Sequence, residues 1–516
     1  MDMIRHRIGW AAVVATAALG TLLAGSGVVA GPLAGQVTGS GPGGCYDPAD
    51  FGAIPDDGQD DRDPIQRAMN AATGAGGGTV CLSDGHWTVT RAPAGSYNSK
   101  AALSTHAAHL SITGTGPGTV IELVGDQGNA ATFVISLDPG ASDIVIERLT
   151  IDTSAASNTE EQTHALLIGS GICAVSNGTC SMPISDVTVR DVRFVHPPLA
   201  GHRKGDCVGL LGNLETTPVK RVTIVGSSFI NCARSGIAVQ RNVFSLAVLG
   251  NHFSEQIGDT PFDGEASGGG WDEDLRLIGN SFAGSTVTYS AALTSYRRAT
   301  ITGNTFSGRG LFLYRTHDVI VADNTFDVTA ISEEGVIGTG NVADGVKIDN
   351  NLIRRHGVPG PAIRVMPHSG GLPSKVSITN NTIVADGDSS GIYLESGRDI
   401  GIRDNDITLV DPAPNGQGIS LRAGEPMDRI TITGNTVTGP LSATGGNTYF
   451  AAVRLAASPS TIGRVTVALN TSIGAIRSLH CEQSVPGNGN YLAPVISLGN
   501  RWNVPPVCVA TIQSGQ

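Results

Sequence analysis

Between Asp259 and Asp274 the chain carries six acids, Asp259, Asp263, Glu265, Asp272, Glu273 and Asp274, and no Lys or Arg. Charged residues make up only 15% of the whole, so this density marks a place where carboxylates can do chemistry. The segment Pro261-Phe262-Asp263-Gly264-Glu265 reads as a strand with Phe262 inward, which projects Asp263 and Glu265 together from the other face. Two residues apart on a strand sets their Cα atoms about 6.5–7 Å apart. Paired carboxylates at such separations cleave glycosidic bonds, one as acid and the other as base or nucleophile. Asp259 lies just before this strand, and Asp206 occupies the corresponding approach about fifty residues earlier; both are expected to assist. The alternative use of such acids is a calcium site, for which Asp259, Asp263 and Glu265 are the candidate ligands.

Carrying the same inward–outward register along the chain assembles a row of contact residues. Gln240 and Arg241 precede the acids; Ala292 and Thr294, Phe312 and Tyr314, Ile337 and Thr339, Arg364 and Met366, and Tyr393 and Glu395 follow them as outward positions. Arg315 and, upstream, His202 and Lys204 fall at nearby turns. Aromatic faces stack on sugar rings and guanidinium forks hold carboxylate or sulfate groups. The expected substrate contacts are therefore Gln240, Arg241, Tyr314, Arg315, Lys204 and His202. Trp271, beside Gly268-Gly269-Gly270, reads as a loop cover.

The elements that must position these residues are announced by a repeated phrase. Val-Leu-Gly-Asn251-His-Phe253, Leu-Ile-Gly-Asn280-Ser-Phe282 and Ile-Thr-Gly-Asn304-Thr-Phe306 begin a series that continues at Asn324, Asn351, Asn381, Asn405 and Asn435. Asn470 and Asn500 extend it, at intervals of 20 to 35 residues. Between the Asn phrases run alternating segments such as Gly236-Ile-Ala-Val239, Gly310-Leu-Phe-Leu313 and Gly391-Ile-Tyr-Leu394. Strand after strand at this period, without intervening helices, is the signature of a solenoid, in which stacked coils share one core. The expectation is that each Asn sits at the same turn in the left-handed conformation, bonded to the Asn of the next coil, with the Phe or Ile two residues on stacked inside.

The N-terminal region carries a second pattern. Asp50-Phe51-Gly52-Ala53, Asp60-Asp61, Ile65-Gln66, Ala68, Ala71-Ala72 and Gly76-Gly77-Gly78-Thr79-Val80 resemble the opening of pectate-lyase-like proteins, shared by polygalacturonase-like hydrolases and phage tailspikes. The resemblance implies an all-β, single-stranded right-handed parallel β-helix over residues 45–516, with an N-terminal cap at 45–100. The residues agree: Asp60 or Asp61 caps a short helix, Pro64 suits its first turn, and Ile65, Ala68, Met69 and Ala72 form an apolar face to cover the open end of the stack. The Asn-Thr-Asp, Asp-Asp and Gly-His-Gly segments of the polygalacturonase-like hydrolases are not present as a set, Gly205-Asp206 being at best a fragment. The Arg-centred motif of calcium-dependent pectate lyases and the Tyr-Gly-x-Asp-Pro-His motif of mannuronan epimerases are missing too. These departures weigh against pectin and alginate.

Bulk properties set the remaining bounds. Of 516 residues 69 are Gly and only 5% are aromatic, which suits tight corners and thin layers better than a helical bundle. A net charge of −12 excludes nucleic acid as the main partner. Arg5 and Arg7 followed by the apolar run Ile8–Ala30 read as a signal peptide over 1–35, with an uncleaved anchor as the rival and a linker at 36–44. Export suggests disulfides among the eight cysteines, with sequence neighbours as the natural pairs: Cys45–Cys81, Cys173–Cys180, Cys207–Cys232 and Cys481–Cys508. No zinc spacing occurs. The expectation is an exported enzyme that cleaves a polysaccharide as a glycoside hydrolase, needing no cofactor and no stable membrane partner. A lyase or epimerase with calcium, using Lys204, Arg241 or Tyr314 as base, and a non-catalytic glycan binder are the alternatives.

Overall fold

In the computed structural model, residues 44–516 are described except 170–181, 199–203, 213–216, 255, 266–269, 284–288, 331–333, 359, 368–370, 388–389, 413–415, 440–449, 458, 475–476, 484–491, 509–511 and 514–516. The signal-peptide expectation, His202, Cys173 and Cys180 therefore lie outside the described residues.

Alternating apolar residues separated by tight turns produce short strands, and each strand pairs in parallel with the strand one coil away. Three long sheets result, of 17, 15 and 14 strands among the described residues. One coil illustrates the path. Phe262–Glu265 lies in the 15-stranded sheet, Asp272–Ile278 in the 17-stranded sheet and Ser281–Ala283 in the 14-stranded sheet; the chain returns to the 15-stranded sheet at Ala291–Thr294. Burial alternates along many strands, such as Phe262–Glu265 and Ala291–Thr294, while others such as Thr163–Gly169 are buried throughout, and the inward side chains form one core that runs through the coils.

Two ladders fill the turn between the 17- and 14-stranded sheets. Each Asn Nδ2 donates to Oδ1 of the next Asn, from Asn251→Asn280 at 3.0 Å through Asn304→Asn324 at 2.9 Å to Asn470→Asn500 at 3.0 Å. Phe194, Phe229, Phe253, Phe282, Phe306 and Phe326 stack beneath, with centroids 4.5–5.2 Å apart. Ile353, Ile383, Ile407 and Val437 continue that column. The left-handed residue is not the ladder Asn but the one before it: Gly250, Gly279, Gly303, Asp323, Asn350, Asn380, Asp404, Gly434 and Leu469 all have φ between 52° and 69°. The reason is that the ladder Asn must turn its side chain into the stack, so its neighbour makes the bend.

The N-terminal end is closed by α1, Arg62–Gly74, which buries Pro64, Ile65, Ala68, Met69 and Ala72 against the first coils. Both aspartates contribute: Asp60 Oδ1 accepts from the Arg62 N–H at 3.1 Å, while Asp61 is tied to the N–H groups of Ile54 and Thr88. Cys45–Cys81, Cys207–Cys232 and Cys481–Cys508 are bonded as expected, the first and last across paired strands and the second from the strand Asp206–Leu211 to a loop residue.

Candidate active site

The strand Phe262–Glu265 follows its alternation: Phe262 and Gly264 are buried, while Asp263 and Glu265 stand half-buried on the outer face of the 15-stranded sheet. Gly264 has to be glycine, because a Cβ there would lie 2.5 Å from Cε2 of Tyr296, whose ring fills the interior beneath. Parallel register then lays out the groove floor. Asp263 follows Ala238 and is succeeded by Ala292, Phe312, Gly338, Arg364 and Tyr393. Alongside, Glu265 is succeeded by Thr294, Tyr314, Gly340 and Met366.

One coil departs from the expected register. Ile337 and Thr339 point inward, paired with Leu311 and Leu313, and the glycines at 338 and 340 take the outer positions. The Glu334 carbonyl and the Phe312 ring explain the choice of glycine, since a Cβ on Gly338 would lie 2.8 Å from that oxygen and 3.1 Å from the ring. That ring stacks on Tyr289 at 4.9 Å and 11° and lies 6.1 Å from Tyr314, giving the floor an aromatic surface. Farther along, Arg364 Nη2 donates to both oxygens of Glu395 at 3.0 Å, with its guanidinium 5.7 Å from the Tyr393 ring centroid.

Asp206 does not stand in the groove beside Asp263. It is fully buried at the start of the strand Asp206–Leu211, under the turn at Gly205. That turn is left-handed, at φ 86°, and a Cβ on Gly205 would sit 1.8 Å from the Thr163 carbonyl. Arg234 clasps Asp206 with a two-pronged fork, Nε–Oδ1 at 2.8 Å and Nη2–Oδ2 at 2.6 Å, and reaches Glu161 at 3.0 Å with Nη1. The Ser235 N–H donates to Asp206 as well, at 3.1 Å, and His164 Nδ1 lies 3.3 Å from Oδ2. Burial pushes the Asp206 carboxyl up, but the Arg234 charge and fork outweigh it and hold the group below its ordinary value. Burial takes the neighbouring His164 and His196 imidazoles down to about 4, so both are neutral at pH 7. Asp206 is thus a structural anion that fixes Arg234, and its reach to a substrate is closed off.

Arg234 was not legible in the sequence, because its partner lies 28 residues away and no local pattern joins them. Its position matters for the acids. The Arg234 carbonyl accepts from the Asp259 N–H at 2.8 Å. Burial works against the Arg234 charge, but Asp206 and then Glu161 hold the guanidinium protonated, with Asp263 adding the least.

The other expected contacts divide. Gln240 closes the strand Ile237–Gln240 in register with Leu211. Arg241 and Arg315 occupy left-handed corners, at φ 42° and 53°, on the edge where Glu265 and Tyr314 lie. Lys204 is exposed, with its Nζ 3.2 Å from the Thr159 carbonyl. Trp271 is part of a cluster, with the Arg297 and Arg315 guanidiniums 4.2 and 4.6 Å from its ring centroid. Among the described residues no three His, Cys, Asp or Glu side chains gather as a metal site.

A cleft of about 520 Å³ lies on the outer face of the 17-stranded sheet, lined by Arg221, Asp274, Arg298 and Asp318 among others. Arg221 there is forked to Asp186 at 2.6 and 2.7 Å, and Arg298 pairs with Asp274 at 2.6 Å. Charges satisfied by each other hold a surface together and leave little for a ligand, so the acid row on the 15-stranded sheet is the better candidate.

A family model agrees with this architecture. The family described as right handed beta helix region matches residues 218–407 and 294–451. Alginate lyase 7 of Azotobacter vinelandii is 35% identical over 157 residues, 30% of this chain and 18% of that protein, so the match spans under a fifth of the relative's length. The A-module of mannuronan C-5 epimerase AlgE6 from Azotobacter vinelandii is 17% identical, with a TM-score of 0.41 over 89% of this chain and 100% of that one. A mutant tailspike protein of E. coli bacteriophage HK620, in complex with a hexasaccharide, is 13% identical, with a TM-score of 0.46 over 88% and 77%. Such distant structural likeness concerns the fold alone. With strands stacked in parallel through three sheets and a family match across the central coils, the chain is a right-handed parallel β-helix protein.

Proposed function

We propose that this is an exported enzyme acting on a polysaccharide laid along the outer face of the 15-stranded sheet, and that its reaction is glycosidic hydrolysis by Asp263 and Glu265. The observation that carries the reading is their projection from one strand at the head of a row of aromatic and guanidinium side chains. One of the two carboxyls protonates the leaving oxygen and the other acts as base or nucleophile, with Glu265 two residues along the strand from Asp263. Asp259, in register one coil beyond Arg234, holds the approach to that pair. Gln240, Arg241, Tyr314, Arg315, Lys204 and His202 are assigned to substrate contact. Three disulfides fit an oxidising compartment and hence export.

The segment related to alginate lyase 7 favours a second reading, in which a uronate is cleaved by elimination or epimerised with Tyr314, Arg241 or Lys204 as base. A product assay on neutral and uronic-acid polysaccharides separates the two. New reducing ends without ultraviolet-absorbing products support hydrolysis; absorbing products refute it in favour of elimination. Isomerised uronate without cleavage supports epimerisation.

A further inference from the structure

The corner that leads from the 15-stranded to the 17-stranded sheet gathers cations around one indole. After Glu265 the chain enters the next strand through Gly270 and Trp271. In the following coils the same corner is Ser295 and then Arg315, linked by the hydrogen bonds Asp272 N–H to Ser295 O at 3.1 Å and Ser295 N–H to Tyr314 O at 2.9 Å. Arg297, in register with Glu273, stands between them. The indole of Trp271 thereby has Arg297 4.2 Å and Arg315 4.6 Å from its centroid, with the His317 ring 5.1 Å away at 59°. Arg241 adjoins: a Cβ on Gly270 would be 3.4 Å from Arg241 Cβ.

These charges are unevenly answered. Glu273 reaches Arg297 only at 3.4 Å and lies closer to Arg298, at 2.5 Å. Among the described residues no acid stands within ion-pair distance of Arg315. Two guanidiniums around one ring repel each other, and cation–π attraction offsets part of that repulsion. The cluster is partly exposed, Arg297 at 43%, and it sits on a chain whose net charge is −12. A polyanion approaching Asp263 and Glu265 would be repelled unless a cationic bank lay alongside, and this corner borders the edge that carries Glu265, Thr294 and Tyr314.

We infer that Trp271, Arg297 and Arg315 form an anion subsite that takes a carboxylate or sulfate borne by the polysaccharide, with the indole as its platform. This rests on the polysaccharide reading above and narrows the substrate to an anionic chain. The subsite lies about 5–10 Å along the solenoid axis from the acid pair, one to two strand spacings.

The test is affinity electrophoresis of the full chain through gels containing polygalacturonate, alginate, dextran sulfate or a neutral glucan. Four forms are compared: wild type, Arg297→Gln/Arg315→Gln, Trp271→Ala, and a charge control, Arg221→Gln/Arg429→Gln, in other coils of the 17-stranded sheet. Wild type should be retarded by a carboxylated or a sulfated polymer, and which of the two retards it identifies the group. The corner double variant should bind that polymer at least tenfold more weakly and Trp271→Ala several-fold more weakly, with the charge control and all melting temperatures close to wild type. Equal weakening by the charge control, or unchanged binding by the corner variant, overturns the subsite. Retardation of wild type by the neutral glucan alone also overturns it while leaving the polysaccharide reading intact. Wild type that binds no polymer sinks both.

Discussion

What separates Asp206 from Asp263 is burial. Both were candidates because acids of that type cleave glycosides, but Asp206 is 0% exposed and clasped by Arg234, whereas Asp263 faces outward. Residue identity and spacing in the sequence could place Asp263 and Glu265 on one face, since that needs only strand alternation. They could not reveal the clasp, which depends on two coils meeting. The clasp makes a measurable claim. Arg234→Gln leaves a buried carboxylate without its partner and should lower stability by about 3–5 kcal/mol in a denaturant melt. Pairing it with Asp206→Asn should recover part of that loss, so that the double variant costs less than the sum of the singles. Additive losses would show that the fork holds nothing.

At the level of elements, the Asn ladder was legible because a fixed phrase at a coil period admits few folds. Its turn was misassigned: the bend falls on the preceding residue, and even Leu469 adopts it, at φ 55°. The register slip at Ile337-Gly-Thr-Gly has a similar origin. A strand with glycine at alternate positions gives little binary pattern, and the pairing of Ile337 with Leu311 and Thr339 with Leu313 turns the glycines outward. The ladder should be strongest in its middle. Asn324 donates to Asn351 and to the Ile301 carbonyl and accepts from Asn304, all buried. Asn324→Ala orphans these groups and should cost about 3 kcal/mol. Asn500→Ala, at the part-buried end where water can replace the lost bonds, should cost under about 1 kcal/mol. Equal costs at both positions would mean the ladder is ornament to a fold held by its aliphatic core.

Over the whole molecule, the solenoid buries a few groups that make its stability depend on pH. The Asp272 carboxyl is pushed up to about 7 by burial, opposed by a hydrogen bond from the Val243 N–H. A raised carboxyl of this kind contributes stability that is complete below its unfolded value near 3.8 and is lost as pH rises toward 7. Asp138, also held near 7, acts in the same sense, while His164 and His196, lowered to about 4, act oppositely as pH falls from 6.5 to 4. Asp272→Asn removes one contributor, so the stability of the variant relative to wild type should climb by up to a few kcal/mol between pH 4 and pH 8. A difference that is flat with pH would place Asp272 in contact with water. The disulfides act on the same scale: reducing Cys207–Cys232, 25 residues apart, should cost about 3 kcal/mol through the freed unfolded chain. A melting temperature unmoved by reductant would contradict this.

The central claim, that Asp263 is a catalytic carboxylate of a polysaccharide-cleaving site, is tested most directly by turnover of Asp263→Asn beside wild type on whichever polysaccharide wild type degrades. The account predicts a loss of at least a hundredfold, with an unchanged circular dichroism spectrum and retained polymer binding. A variant that turns over at the wild-type rate would contradict it and move the chemistry elsewhere on the groove.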